Sequence, residues 1–229
     1  GVIEARAGEQ ALAKAATESP ALVVLDLGLP DLDGREVVRR LRDWFTGPVL
    51  VLSVRADEAE KVAALDAGAN VLVEKPLAGS LADAEAVQEA ERRNKRWVAV
   101  GYQDIYVNEA RWLKEQLCAG AIGAITRVHM IGLWPRPAAY FNRNQWAGRL
   151  AAEGAPAMDS PINNALAHFV NLALYFSGPA VDSSADVEVT RAELLRAHRI
   201  ESFDTAVIQG RSNEGVDFWF GVSHACRQT

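Results

Sequence analysis

Apolar residues in the first part of the chain come in two alternating rhythms. Ala21 to Leu27, Val49 to Val54 and Trp97 to Gly101 are short, nearly continuous apolar runs, and Val2 to Ala5 reads the same way. Between them, apolar positions recur at helical spacing. One helix is predicted from about Gly8 to Thr17, and another carries Val37, Val38, Leu41 and Phe45 on one face after Pro30 and Gly34. A third turns Ala59, Val62, Ala63 and Leu65 inward and stops at Gly68, and a fourth, Leu81 to Lys95, pairs Leu81, Ala84, Val87 and Ala90 with a face rich in Glu and Arg. Apolar strands alternating with amphipathic helices predict a parallel, doubly wound α/β sheet.

The rhythm changes past residue 103. A helix is expected over Asn108 to Leu117, ended by Ala119-Gly120-Ala-Ile-Gly123, and Ile125 to Leu133 alternates as a strand. Trp134, Arg136, Tyr140, Arg143, Asn144 and Trp146 then crowd into one loop, and Asp159-Ser160-Pro161 reads as a helix start with an N-cap acceptor and Pro in the first turn. Val187 to Leu195, Ser202 to Gly210 and Val216 to His224 are predicted strands. This gives an α/β domain over residues 1–103 and an α+β domain with a mostly antiparallel sheet over 104–229, whose final strand is expected at an unpaired edge.

A 229-residue chain with 49% apolar content can bury one large core or two modest ones. Thirty acidic against 24 basic residues, net charge -6, argue against a general affinity for nucleic acid. Cys118 and Cys226 suggest two buried free thiols and a reducing compartment. No apolar run reaches the roughly 18 residues of a membrane span, and no signal peptide is apparent, so a soluble cytoplasmic protein is expected. The opening Val-Ile-Glu-Ala reads as a strand already under way, so a preceding segment is expected too.

Candidate chemistry sits at strand ends. Asp26, Ser53 and Lys75 each close a predicted strand, at the edge where open α/β sheets bind ligands. A carboxylate, a hydroxyl and an ammonium suit a phosphoryl group. Asp26-x-x-x-Pro30-x-x-Asp33-Gly34, Val-Leu-Ser53-Val-Arg and Ala64-Leu-Asp-Ala-Gly68, with the Lys75-Pro76 pair, resemble the receiver domains of response regulators. The resemblance implies Asp26 as phosphoacceptor from a histidine kinase, with Ser53 and Lys75 contacting the phosphoryl group. It also implies Mg²⁺, but the acidic pair that holds the metal in that family lies on a strand that would precede Gly1. Asp26 alone leaves that metal site incomplete, and Leu72 stands where the family carries its reporting aromatic.

The same strand opens a second resemblance. Ala-Gly-x-x-Val-Leu-Val-Glu-Lys-Pro-Leu, from Ala67 to Leu77, followed by Val98-Ala-Val-Gly101-Tyr102-Gln103, is similar to the Gfo/Idh/MocA oxidoreductases. This likeness implies an NAD(P) cofactor near Glu74, Lys75 and Pro76, a Lys-Pro bond that is often cis, and Lys75 facing substrate and nicotinamide. The aromatic loop suits a sugar or polyol, with indole faces for C–H surfaces and Arg143 and Asn144 for hydroxyls, beside Trp146. Asn164, His168, Asn171 and Tyr175 fall on one stripe of a predicted helix. The family's Asp-x-Gly-x-His pattern is here Asp159-x-Pro161-x-Asn163, so Asp159 and His168 are the catalytic candidates, and Asn163 and Asn164 candidate substrate contacts. No Gly-x-Gly-x-x-Gly occurs, and Asp26, Asp31 and Asp33 would repel a pyrophosphate.

The chain thus reads as a composite joined at about residues 65–77: a receiver fragment fused to a catalytically incompetent oxidoreductase fragment. The alternatives are a phosphorelay receiver acting through Asp26, or an accidental join with no selected function.

Overall fold

The computed structural model describes residues 1–53, 58–152 and 154–227, with the Ser53 side chain outside the described residues. The chain forms two compact units, Gly1–Gly101 and Tyr102–Thr229.

In the first unit the order is α1 (Gly8–Glu18), β1 (Val23–Asp26), α2 (Gly34–Arg42), β2 (Val49–Ser53), α3 (Glu58–Asp66), β3 (Asn70–Val73), α4 (Leu81–Asn94) and β4 (Val98–Val100). The sheet runs β1-β2-β3-β4 and is parallel throughout. Local chemistry sets the helix ends. Asp33 caps α2 by accepting from the Arg35 amide, Ser80 caps α4 by accepting from the Asp83 amide, and Gly68, at φ +95, takes the left-handed turn that stops α3.

All four helices contribute to one apolar cluster, and they meet the same face of the sheet. Leu12, Val37, Val38, Leu41, Leu65 and Val87 pack there with Leu25, Val49, Val51, Val71 and Val73. The register aligns Val24 with Leu50 and Asp26 with Leu52 and Leu72 on the opposite face, and none of these joins the cluster. Val24 is 53% exposed and Leu52 41%, whereas Val49, Val51 and Val71 are fully buried. Topology accounts for this. Strands laid down in unbroken spatial order through right-handed crossovers send every connecting helix to the same side, whereas a doubly wound sheet covers both faces by reversing its order.

Three expectations need correction here. Val2 to Ala5 is no strand and does not pair with β1; Val2 is 92% and Ile3 48% exposed, with no neighbouring strand to take up the backbone. Leu81 is 75% exposed and does not face inward. In α3 Leu65 is buried and Val62 packs against the core as expected, but Ala59 is exposed and Ala64 and Lys61 are buried, Lys61 donating to the Leu77 carbonyl 2.8 Å away.

The second unit begins with a 3-10 turn (Gln103–Tyr106) and α5 (Asn108–Cys118), then β5 (Arg127–Leu133), a short α6 (Ala138–Phe141), and the β6 (Ala151–Ala152) and β7 (Ala155–Pro156) pair. A π turn (Pro161–Ala165) leads into α7 (Ala167–Ser177), followed by β8 (Val187–Leu195), β9 (Thr205–Ser212) and β10 (Asp217–Ser223). The sheet order is β5-β10-β9-β8, with β10 parallel to β5 and the other pairs antiparallel. Phe218, Phe220, Val128, Met130 and Ile208 pack against Ile162, Val170, Ala173 and Leu174 from the π turn and α7. Buried Lys114 of α5 donates to the carbonyls of Tyr175 and Gly178, each at 2.6 Å, and so closes the end of α7.

The predicted last strand is not an edge: β10 lies between β5 and β9, and β5 and β8 hold the margins. The two thiols are free as expected, but Cys118 is exposed and Cys226 half-buried. No helix among the described residues is long and apolar enough to cross a membrane.

Candidate functional site

The loop after β1 is the most acidic strand end of the first unit, and its three carboxylates are committed to backbone. Asp26 accepts from the Gly28 amide at 3.1 Å. Asp31 reaches the first turn of α1 and accepts from the Gly8 amide at 2.6 Å and the Glu9 amide at 3.0 Å, which hold its carboxyl below the usual range. Asp33 accepts from the Arg35 amide at 2.8 Å and pairs with the Arg35 guanidinium, which lowers its pKa to about 2. The amino ends of α1 and α2, where a helix presents free N–H groups and positive potential, are therefore closed by the protein's own carboxylates.

At the end of β3, Glu74 is exposed and Lys75 half-buried, and the Lys75-Pro76 bond is cis. Gly101 donates to the Val73 carbonyl at 2.8 Å, and Lys61 holds the Leu77 carbonyl, so the segment is pinned on both sides. Sequence reasoning missed Lys61, because a charged residue on an amphipathic helix reads as solvent-facing.

In the second unit the predicted residues separate into small groups. Asp159, buried, accepts from the Gly148 amide at 2.7 Å and from the Asn164 side chain at 2.8 Å. Asn163 donates to the Met158 carbonyl at 3.3 Å, and Asn144 accepts from the amides of Trp146 and Ala147, an Asx turn that shapes the loop. The predicted polar stripe is interrupted, since the π turn ends at Ala165 and α7 starts afresh at Ala167. His168 turns instead to Asp104, 4.0 Å from its Nδ1, with the Tyr102 ring edge-on at 5.7 Å. No hydrogen bond or ion pair joins His168 to Asp159 among the described residues.

Arg143 stacks on Tyr140 and Trp146, and Arg136 on Trp134 and Tyr140. His224, buried behind them, shares a hydrogen bond of 2.7 Å between its Nδ1 and the Trp134 carbonyl, and burial holds its pKa below the ordinary 6.5. Asp104 and His224 escaped sequence reasoning, because neither stands in a recognisable spacing with its partners.

The residues present do not suit a dinucleotide or a magnesium ion. A pyrophosphate needs a helix amino end free of carboxylates, and those of α1 and α2 are capped. A magnesium ion needs several free oxygen ligands, and Asp31 and Asp33 are spent as caps beside Asp26. No group of three or more His, Cys, Asp or Glu that could hold a metal occurs among the described residues.

Comparison with known proteins gives a sequence match in the first part of the chain and a fold likeness over nearly all of it. Residues 1–84 match the response regulator receiver domain, and the fold resembles that of solved dehydrogenases and oxidoreductases. The KDP operon transcriptional regulatory protein KdpE of Escherichia coli is 53% identical over 76 residues, 33% of this chain and 34% of that protein. The alkaline phosphatase synthesis transcriptional regulatory protein PhoP of Bacillus subtilis is 47% identical over 77 residues, 33% of this chain and 32% of that protein. Among solved structures, the WlbA dehydrogenase from Bordetella pertussis, in complex with NADH and UDP-GlcNAcA, superposes with a TM-score of 0.68 at 20% identity, covering 95% of this chain and 59% of that one. The aldose-aldose oxidoreductase from Caulobacter crescentus, complexed with glycerol, gives 0.63 at 20% identity over 84% of this chain and 55% of that one. The chain therefore spans about a third of these regulators and somewhat over half of these oxidoreductases.

Proposed function

We propose that this chain is a catalytically incompetent composite, joined within Leu65 to Leu77, whose second unit keeps a wall for a sugar- or polyol-like molecule while its first unit no longer serves a dinucleotide. The observation that carries this reading is the Asp31 carboxylate seated on the Gly8 and Glu9 amides at the head of α1. A pyrophosphate brought there would have to displace a carboxylate already held by two hydrogen bonds, and would meet Asp26 and Asp33 beside it. The sugar side of the proposal draws on the aromatic loop from Trp134 to Trp146, and on relatives whose complexes contain UDP-GlcNAcA or glycerol. Domain limits of 1–103 and 104–229 belong to the same proposal. An assay of sugar- or polyol-dependent NAD(P) reduction is expected to show none. Turnover that disappears in Lys75→Ala would contradict the reading.

A second reading, a phosphorelay receiver acting through Asp26 with a histidine kinase as donor, is supported by the receiver match over residues 1–84. It predicts a phosphoryl adduct on incubation with Mg²⁺ and acetyl phosphate, visible by intact mass and removed by Asp26→Asn. The incompetent composite predicts no adduct.

A further inference from the structure

Five side chains of the loop between β5 and β6 form a ladder in which aromatic rings and guanidinium groups alternate: Trp134, Arg136, Tyr140, Arg143, Trp146. The Arg136 guanidinium carbon lies 4.4 Å from the centre of the Trp134 ring and 4.6 Å from that of Tyr140. That of Arg143 lies 3.6 Å from Tyr140 and 4.9 Å from the Trp146 ring. Both cations thus stack on one tyrosine. Stacking occupies the faces of a guanidinium and leaves the N–H donors in its plane to find acceptors elsewhere.

Those acceptors are largely missing. Arg143 donates one bond, to the Tyr140 carbonyl at 2.8 Å. The Nε of Arg136 is buried with no hydrogen-bond partner. Neither arginine has an ion pair among the described residues. The carboxylate of Asp159 is taken up by Gly148 and Asn164 and does not neutralise them. Two adjacent cations with unfilled donors, among them the buried Nε of Arg136, are the arrangement an anion completes. The flanking indoles stay available for a ring, Trp134 being 44% and Trp146 41% exposed.

We propose that this ladder binds an acid sugar, its carboxylate or phosphate held by Arg136 and Arg143 and its C–H face covered by an indole. This rests on the sugar-wall reading above and names the charge of the ligand. Titration of the full chain, followed by calorimetry, would compare glucose, glucuronate, a glucose phosphate and inorganic phosphate. Glucuronate or the glucose phosphate is expected to bind at least about tenfold more tightly than glucose, and the comparison of the two acids tells carboxylate from phosphate. Arg143→Gln should erase that preference, and Arg143→Lys, which keeps charge but loses the planar fork, should fall between.

Arg143 is exposed, so these variants should fold, and circular dichroism checks that they do. Equal binding of glucose and both acids would overturn the inference and leave the sugar wall standing. Preference for the acids that survives Arg143→Gln and Arg136→Lys would also overturn it. Binding of inorganic phosphate with no affinity for any sugar would remove the sugar wall and, with it, the acid-sugar assignment.

Discussion

The two sheets each carry their helices on one face, but their other faces differ. In the second unit the open face is charged at one end and apolar at the other, where Ile131 is 69% and Leu133 64% exposed. Arg127, Asp217, Arg211 and Glu188 align in one row across the four strands, with Arg211 and Asp217 paired at 2.6 Å, and His129, Trp219 and Gln209 in the next. In the first unit the open face presents Val24, Leu50, Leu52 and Leu72, side chains of the kind that parallel strands keep under helices. With the order β1-β2-β3-β4, each strand pairs with its neighbour in sequence and the helices gather on one face.

The largest test of this comparison sets neighbouring residues of β2 against each other. Val51→Lys places a charge in the buried cluster and should cost about 3 kcal/mol or more, whereas Leu52→Lys on the open face should change stability by no more than about 0.5 kcal/mol. Urea unfolding measures both, and a similar loss in the two variants would show that the second face is covered. Next in size is Lys114→Met, which leaves the Tyr175 and Gly178 carbonyls buried without donors and should cost about 1–3 kcal/mol, confined to the second unit.

Acidity should separate the units by smaller amounts. Asp33, held at about 2 against an ordinary 3.8, contributes stability that is whole above pH 4 and lost as pH falls through 2. Burial disfavours the charged form of His224, so the second unit should weaken as pH falls below about 6.5, where the unfolded chain takes up the proton more readily. Tryptophan fluorescence during acid titration checks the order; His224→Gln should remove the earlier change, and its persistence would assign that change elsewhere.

Much of this architecture is legible in the chain itself. The strands β1 to β4, the helices α1 to α4, the Gly68 stop and the changed rhythm of the second unit follow from periodicity and capping residues. So does the acidity of the loop after β1, although not the fact that Asp31 caps a helix more than twenty residues upstream, a contact only the folded chain defines. The open face could not be read, because apolar strands look the same whether one helical layer or two lies over them. Lys61 and Lys114 were hidden by their charge, since a lysine that buries its ammonium against carbonyls has the same spacing as one in water. The aromatic loop was visible as a candidate, but its alternation of rings and guanidinium groups depends on how the loop folds back.

Direct titration with NADH is the measurement closest to the central claim, that the amino end of α1 is occupied by Asp31 and the first unit holds no dinucleotide. The account predicts no saturable change in NADH fluorescence at micromolar protein, and none in Asp31→Ala either, because Asp26 and Asp33 still flank the site. Saturable low-micromolar binding by the unaltered chain would contradict it.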